Sequence, residues 1–194
     1  MTSELFTSEG QRKYLDDAEH DRFLAAASAL ERGEVRTLCT TLAYTGCRIS
    51  EALELTADRV DLSSQVITFR SLKKRGKTLY RSVPVPESHL DTLDLVHGLR
   101  KAQRARGRGQ GAPLWRWGRT QATKHVWAVM DAAAIAGPQA CPKGLRHGFG
   151  VRLAMKTRNP RLVQRMLGHA SLETTAIYMD VVGRETRDEM ALTW

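Results

Sequence analysis

Cysteine is scarce in this chain of 194 residues, which has only Cys39, Cys47 and Cys141. They show no Cys-x-x-Cys spacing, so neither a disulfide framework nor a zinc site is expected, and reduced thiols are the plain interpretation. The sequence also lacks an apolar run of membrane-spanning length and, over residues 1–11, any signal-peptide pattern. We therefore expect a soluble, cytoplasmic protein without a metal site.

Acidic residues are outnumbered by basic ones. Asp and Glu number 21 against 30 Lys and Arg, which gives a net charge of +9 and a pI near 9.9. This balance favours a polyanionic partner, although a basic protein of unrelated function would share it. At this length we expect residues 1–194 to form a single domain with a proper core.

Helical periodicity dominates the apolar pattern. It predicts helices at 21–30, 35–44, 50–55, 88–103, 120–135 and 144–155. Ser88 is the expected cap of the fourth of these helices, with Asp91 at the capping-box position. Asn159 followed by Pro160 predicts a helix that ends at Gly168, and another is expected to open at residue 171.

One segment favours strands instead. Residues 66–69 are rich in β-formers, and the alternating prolines at 83–86 favour extended backbone. Between them, residues 71–82 carry several basic side chains and Gly76, which predicts a hairpin with a basic tip. The expected fold class is mainly α with a small antiparallel β-hairpin sheet (α+β).

Four short strings carry the chemistry. They are TGCRISE at 45–51, KGLRH at 143–147, LGH at 167–169 and the tyrosine in TTAIY at 174–178. Arginine binds phosphate oxygens with a planar, permanently charged fork. A tyrosine oxygen can attack phosphorus and hold it covalently. Two arginines, a histidine and a tyrosine in this order therefore indicate a site that breaks a phosphodiester without a metal.

These strings resemble the tyrosine recombinase (phage integrase) family, over roughly residues 5–183. The family pattern is Arg, then Lys on a hairpin, His-x-x-Arg, Leu-Gly-His, and Tyr about nine residues later. One position departs from it, because Lys143 stands where the family usually has histidine. Lysine occurs there in some members and in the related poxvirus-type topoisomerases. The resemblance implies the tyrosine recombinase catalytic-domain fold.

The resemblance also implies residue roles. Arg48, Arg146 and His169 would hold the non-bridging oxygens of the scissile phosphate, and Tyr178 would be the nucleophile. Neighbouring cations, Lys143 among them, would favour the Tyr178 phenolate. Lys143 would stabilise negative charge, with proton acceptance as the alternative.

Other residues receive supporting roles. Lys73 is the expected acid for the 5′ leaving oxygen, and Lys74 is the alternative because the hairpin register is ambiguous by one residue. Glu51 is expected to orient an arginine or cap a helix. His147, which in a helix points about 100° away from Arg146, is expected to have a structural, hydrogen-bonded role. The residues expected to grip the DNA backbone are Lys74, Arg75, Lys77, Arg104, Arg106, Arg108, Arg119 and Lys124.

The implied function is site-specific DNA strand exchange through a 3′-phosphotyrosine, in a prokaryotic cytosol or nucleoid. The implied partners are duplex DNA and further copies of the chain, with no ATP, metal or other cofactor. Two alternatives use the same fold: a topoisomerase-like enzyme that rejoins the same strand, and a non-catalytic DNA-binding regulator. Family members commonly carry a core-binding domain before the catalytic domain. We expect that domain to be absent here and residues 184–194 to be a C-terminal tail.

Overall fold

A computed structural model of the chain describes residues 4–72, 78–105 and 111–181. Within these ranges the fold is mostly helical, and residues 173–181 form the last helical segment. The helices are α1 (Asp17–Ser28), α2 (Gly33–Thr45), α3 (Ile49–Leu53), α4 (Glu87–His97), α5 (Leu99–Arg104), α6 (Arg119–Ala132), α7 (Pro142–Thr157) and α8 (Pro160–Leu167).

The strands form one small antiparallel sheet in the order β1 (Val60–Asp61), β2 (Val66–Leu72) and β3 (Thr78–Pro84). Ile67 pairs with Val83 and Phe69 with Arg81, and all four side chains are buried. The predicted fold class, mainly α with a small antiparallel sheet, is confirmed. The two-residue strand β1 was not predicted, because it is too short to show an alternating pattern. The predicted hairpin tip at 73–77 lies outside the described residues.

The predicted helix at 88–103 is wrong in two respects. Gly98 adopts a left-handed conformation (φ +63°), which ends α4 and starts α5 at the next residue. The expected cap at Ser88 is absent, since α4 begins at Glu87 after Pro86 and has no side-chain cap. By contrast, the cap at Asn159 is confirmed, because its side chain accepts a hydrogen bond from the Leu162 N–H at 3.1 Å.

Helix α2 lies at the centre of the main core and packs against α1, α4 and α7. Leu38 and Leu42 on this helix are fully buried, and so is Trp115. The Trp115 indole donates a hydrogen bond to the Glu34 carbonyl at 2.9 Å, which ties the segment before α6 to the start of α2. Trp115 therefore has a packing role in this core.

A second, smaller core lies beside the first. It joins Leu5 from the N-terminal segment to α7, α8 and the 173–181 segment, and it includes Tyr178. Among the helices that the structure describes, none has the length and apolar character needed to cross a membrane.

Close packing of α7 against the N-terminal segment requires glycine at position 148. A Cβ on Gly148 would lie 2.6 Å from the Leu15 carbonyl oxygen, which belongs to the backbone and cannot rotate away. Because real Cβ atoms do not approach this closely, any larger residue must push the two segments apart.

We expect Gly148→Ala to lower the free energy of unfolding by about 2 kcal/mol, since overpacking outweighs the gain in helix propensity. Gly118→Ala is the matched control, because a Cβ there meets nothing within 4 Å, and its effect should stay below about 1 kcal/mol. Urea denaturation followed by circular dichroism measures both. Equal stabilities for the two variants would contradict the close approach.

Candidate active site

Arg48 lies at the turn between α2 and α3. Gly46 ends α2 in a left-handed conformation (φ +57°), and Arg48 then caps α3. Its backbone N–H donates to Glu51 Oε2 at 2.9 Å, and its Nη1 donates to Glu51 Oε1 at 2.9 Å. The Arg48 side chain is still 47% exposed. Glu51 therefore orients a guanidinium that remains open to solvent.

Glu51 is buried between two arginines. Its second partner is Arg81 of β3, which is also buried and donates to both carboxylate oxygens, at 2.6 and 3.1 Å. Burial would raise the pKa of Glu51, but the hydrogen bond and charge of Arg81, together with Arg48, outweigh it and lower that pKa to about 2. The carboxylate is thus ionised at neutral pH. Both predicted roles of Glu51 are confirmed, since it orients an arginine and accepts the N–H at the start of α3.

Arg146 is buried on α7 and joins two distant turns. Its Nη1 donates to the Gly46 carbonyl at 2.8 Å, and its Nη2 donates to the Leu167 carbonyl at 2.7 Å. Burial and the nearby charge of Arg48 lower the pKa of Arg146 to about 10, which still leaves it charged at neutral pH. A guanidinium has five N–H donors, so donors beyond these two remain for an anion.

His169 follows Gly168, which ends α8 in a left-handed conformation (φ +67°). Its Nδ1 lies 3.1 Å from the Thr175 hydroxyl, and its ring stacks on Tyr178 with centroids 5.8 Å apart and planes 16° apart. Burial, with the charges of Arg146 and Arg48, lowers the pKa of His169 to about 4. The ring is therefore neutral at pH 7 and has one N–H to donate.

Tyr178 lies in the 173–181 helical segment and is 1% exposed. Its hydroxyl is 2.9 Å from His147 Nδ1. Burial raises the pKa of Tyr178 to about 12, although Arg146 and Arg48 act in the opposite direction. Arg146 and Arg48 thus favour the phenolate, as expected, but burial outweighs their charge in this conformation.

The other predicted site residues are distributed over several elements. Lys143 is exposed in the first turn of α7, one turn before Arg146. Arg104 is exposed at the end of α5, and Arg119 and Lys124 are exposed on α6. Several predicted residues lie outside the described ranges; these are Lys73, Lys74, Arg75, Lys77, Arg106 and Arg108.

The role of Arg81 was not predicted from the sequence, in which it is one of several basic residues at 71–82. A signal was present, because Arg81 and the apolar Val83 are two residues apart and lie on the same face of β3. That parity places Arg81 on the buried side. The predicted hydrogen-bonded role of His147 is confirmed, but its partner, Tyr178, was not foreseen.

The phage integrase family model matches residues 13–184 of the chain. A curated relative, the tyrosine recombinase XerD of Mycobacterium tuberculosis strain H37Rv, is 39% identical over 163 residues. That match covers 80% of this chain and 50% of the relative. The chain thus spans about half the length of the curated relatives that it matches.

Solved structures are similar as well. The XerH site-specific recombinase, in a post-cleavage complex with its palindromic difH substrate, aligns with a TM-score of 0.77 at 25% identity. That match covers 92% of this chain and 52% of XerH. The catalytic domain of bacteriophage HP1 integrase shares the fold at a TM-score of 0.63 and 24% identity, with 86% of each chain covered.

Neutralising Glu51 tests the buried charge cluster. Its folded-state pKa of about 2 lies below its ordinary value of 4.5, so its contribution to stability is present above pH 4.5 and is lost as pH falls toward 2. We expect Glu51→Gln to lower the free energy of unfolding by about 3 kcal/mol at pH 7, because Arg81 then stays buried without a counter-charge. The difference from wild type should shrink between pH 4.5 and 2.

Urea denaturation across this pH range measures the effect. Glu54→Gln is the control, since Glu54 is exposed nearby and its removal should change stability by less than about 0.5 kcal/mol. A wild-type advantage that does not change with pH would show that the charge of Glu51 is not what stabilises the fold.

Proposed function

This chain belongs to the phage integrase family, and from that premise we propose that it is the catalytic domain of a site-specific recombinase. In this proposal it cleaves and rejoins duplex DNA through a 3′-phosphotyrosine. The Tyr178 hydroxyl loses its proton to water, and its oxygen attacks the scissile phosphorus and forms a phosphotyrosyl bond while the bond to the 5′ oxygen breaks. Lys73 supplies a proton to that leaving oxygen. The 5′ hydroxyl of another strand then reverses the step, so the phosphotyrosine conserves the bond energy.

The phosphate would be held by Arg48, Arg146 and His169. Two guanidinium groups and one neutral imidazole N–H match the extra negative charge that the non-bridging oxygens acquire in the transition state. Lys143, exposed one turn before Arg146, would add a positive charge at the rim of this site.

The observation that carries the proposal is the convergence of residues 130 positions apart. Arg48 and Arg146 both act electrostatically on His169 and Tyr178, and the rings of His169 and Tyr178 stack. Arg146 hydrogen bonds to Gly46, two residues before Arg48, and to Leu167, two residues before His169. One buried guanidinium thus joins the two turns that carry Arg48 and His169.

Recombination is favoured over the two alternative functions. The similar proteins XerD and XerH are named as recombinases, which supports strand exchange rather than relaxation of supercoils. A non-catalytic regulator would not need both arginines, the histidine and the tyrosine, all of which this chain has. Duplex DNA and further copies of the chain are the proposed partners, since exchange between two duplexes requires several active sites.

Removal of the Tyr178 hydroxyl tests the function directly. The protein is first incubated with fragments of the genomic DNA that flanks its gene, and covalent junctions are mapped to give a nicked suicide substrate. Tyr178→Phe should bind this DNA with less than a tenfold change in affinity and form no covalent adduct, because it lacks the attacking oxygen. Tyr44→Phe, at a half-buried tyrosine of α2, is the control and should form adducts at the wild-type rate. Adducts in the Tyr178→Phe variant would refute the proposed nucleophile.

Replacement of the leaving oxygen tests Lys73. Lys73→Ala should slow cleavage on the order of 10²–10⁴-fold, as for the loss of a general acid. A 5′-bridging sulfur leaves without protonation, so a substrate with this atom should restore the rate of Lys73→Ala. It should not restore Arg146→Ala, which lacks a phosphate ligand. Rescue of Lys74→Ala instead would move the acid to the next residue.

A further inference from the structure

His147 contacts the proposed nucleophile from the same helix that carries Arg146. Its Nδ1 lies 2.9 Å from the Tyr178 hydroxyl, and both residues are buried. The Tyr178 ring crosses α7 at Gly150, where an added Cβ would lie 2.5 Å from a ring carbon. The tyrosine therefore occupies a fitted slot whose inner end is the His147 ring.

The walls of this slot are apolar. Leu5, Val163 and Leu167 belong to the same buried cluster as Tyr178, and Leu5 brings the N-terminal segment against it. With 1% of Tyr178 exposed, its oxygen cannot reach the phosphate of a duplex lying on the surface. In this conformation the tyrosine is therefore buried and cannot act as a nucleophile.

The hydrogen bond has a preferred direction. If Nδ1 accepts a hydrogen bond from the Tyr178 hydroxyl, the proton of the neutral His147 ring is on Nε2. This Nε2–H is then buried with no partner among the described residues. The opposite tautomer would leave both the Nε2 lone pair and the tyrosine hydrogen unpaired. Since each buried polar group without a partner is costly, the tyrosine hydroxyl is the donor.

In this buried conformation, His147 is too weak a base to take the hydroxyl proton of Tyr178. Burial, with the charges of Lys143 and Arg146, lowers the pKa of His147 to about 3, whereas the pKa of Tyr178 is raised to about 12. Both side chains are therefore neutral at pH 7. The titratable and charged groups around the pair are Glu4, Lys13, Arg48, Lys143, Arg146 and His169.

We propose that His147 is a positioning residue that holds Tyr178 in a buried resting position, from which the tyrosine is released when the site engages DNA. The proposal rests on the proposed function only in taking Tyr178 as the nucleophile. The cost of release is small, because water that enters the vacated slot can replace the tyrosine hydroxyl as the partner of Nδ1. The bond is thus strong enough to define a resting position and weak enough to be broken.

Titration of Tyr178 in the DNA-free protein tests this. Tyrosine labelled with ¹³C at Cζ reports ionisation by NMR, and Tyr178→Phe assigns the signal. His147→Phe keeps a ring but removes the acceptor, so the tyrosine should leave the slot and its pKa should fall toward 10, about a hundredfold easier ionisation. His147→Asn, whose amide oxygen can replace Nδ1 as acceptor, should keep the value near 12. His89→Phe, at a second histidine with 4% exposure, controls for general loosening.

Cleavage of the suicide substrate gives an independent readout. His147→Phe should form the covalent adduct at least as fast as wild type, because release no longer requires breaking the bond. A loss of cleavage on the order of 10²–10⁴-fold with an unchanged Tyr178 pKa would overturn the proposal and make His147 a proton acceptor in the reaction.

Two further outcomes separate this inference from the proposed function. If wild type forms no adduct but the Tyr178 pKa falls in His147→Phe, the proposed function fails and the resting position stands. If His147→Phe does not fold, nitration by tetranitromethane tests the wild-type protein, with the 61% exposed Tyr80 as internal standard. Tyr178 should react far more slowly than Tyr80 without DNA and faster once duplex DNA is added. Fast nitration of Tyr178 in the free protein would overturn the proposal.

Discussion

The buried guanidinium of Arg146 is the interaction on which the site depends. A helix end leaves carbonyl groups without partners, and their partial negative charge attracts cations. Arg146 bonds to one such carbonyl at the end of α2, that of Gly46, and to another at the end of α8, that of Leu167. Both helices end in left-handed glycines, so the chain turns sharply there and presents Arg48 and His169 just beyond. The hydrogen bonds of one arginine therefore set the positions of Arg48 and His169, the two other proposed phosphate ligands.

Glu51 supplies the negative charge that the neighbouring arginines require. Three arginines close together repel one another, and Arg81 has almost no access to water. A single ionised carboxylate bonded to both Arg48 and Arg81 offsets that repulsion and leaves Arg146 to its carbonyl partners. Arg81 also donates to the Met166 carbonyl at 2.8 Å, which fastens the sheet to α8. The carboxylate is accordingly a structural counter-charge, and the exposed side of Arg48 stays available for an anion.

The parts predictable from sequence were those with local signals. Asn159 before Pro160, and the glycines at 46 and 168, mark helix ends by local signals alone. The four strings predicted a site, and the structure brings residues of these strings close together. Whether a side chain is buried has no such local signal. Arg81 could be assigned to the buried face only through strand parity, and the raised pKa of Tyr178 follows from burial against α7 and the N-terminal segment. Both properties arise from tertiary packing, which no single string records.

Two neighbouring residues of α7, Arg146 and His147, contact different parts of the proposed site. Consecutive helical residues point about 100° apart, so Arg146 faces the turns that carry Arg48 and His169 while His147 faces Tyr178. The two are not independent, because the 173–181 segment follows α8 directly and Arg146 holds the last carbonyl of α8. The donors that Arg146 has left beyond its two carbonyl bonds are the ones proposed to bind the phosphate, so the guanidinium would stay anchored to both helix ends when a phosphate is bound. In the proposed reaction, adjacent residues of α7 would therefore position the phosphate and the tyrosine.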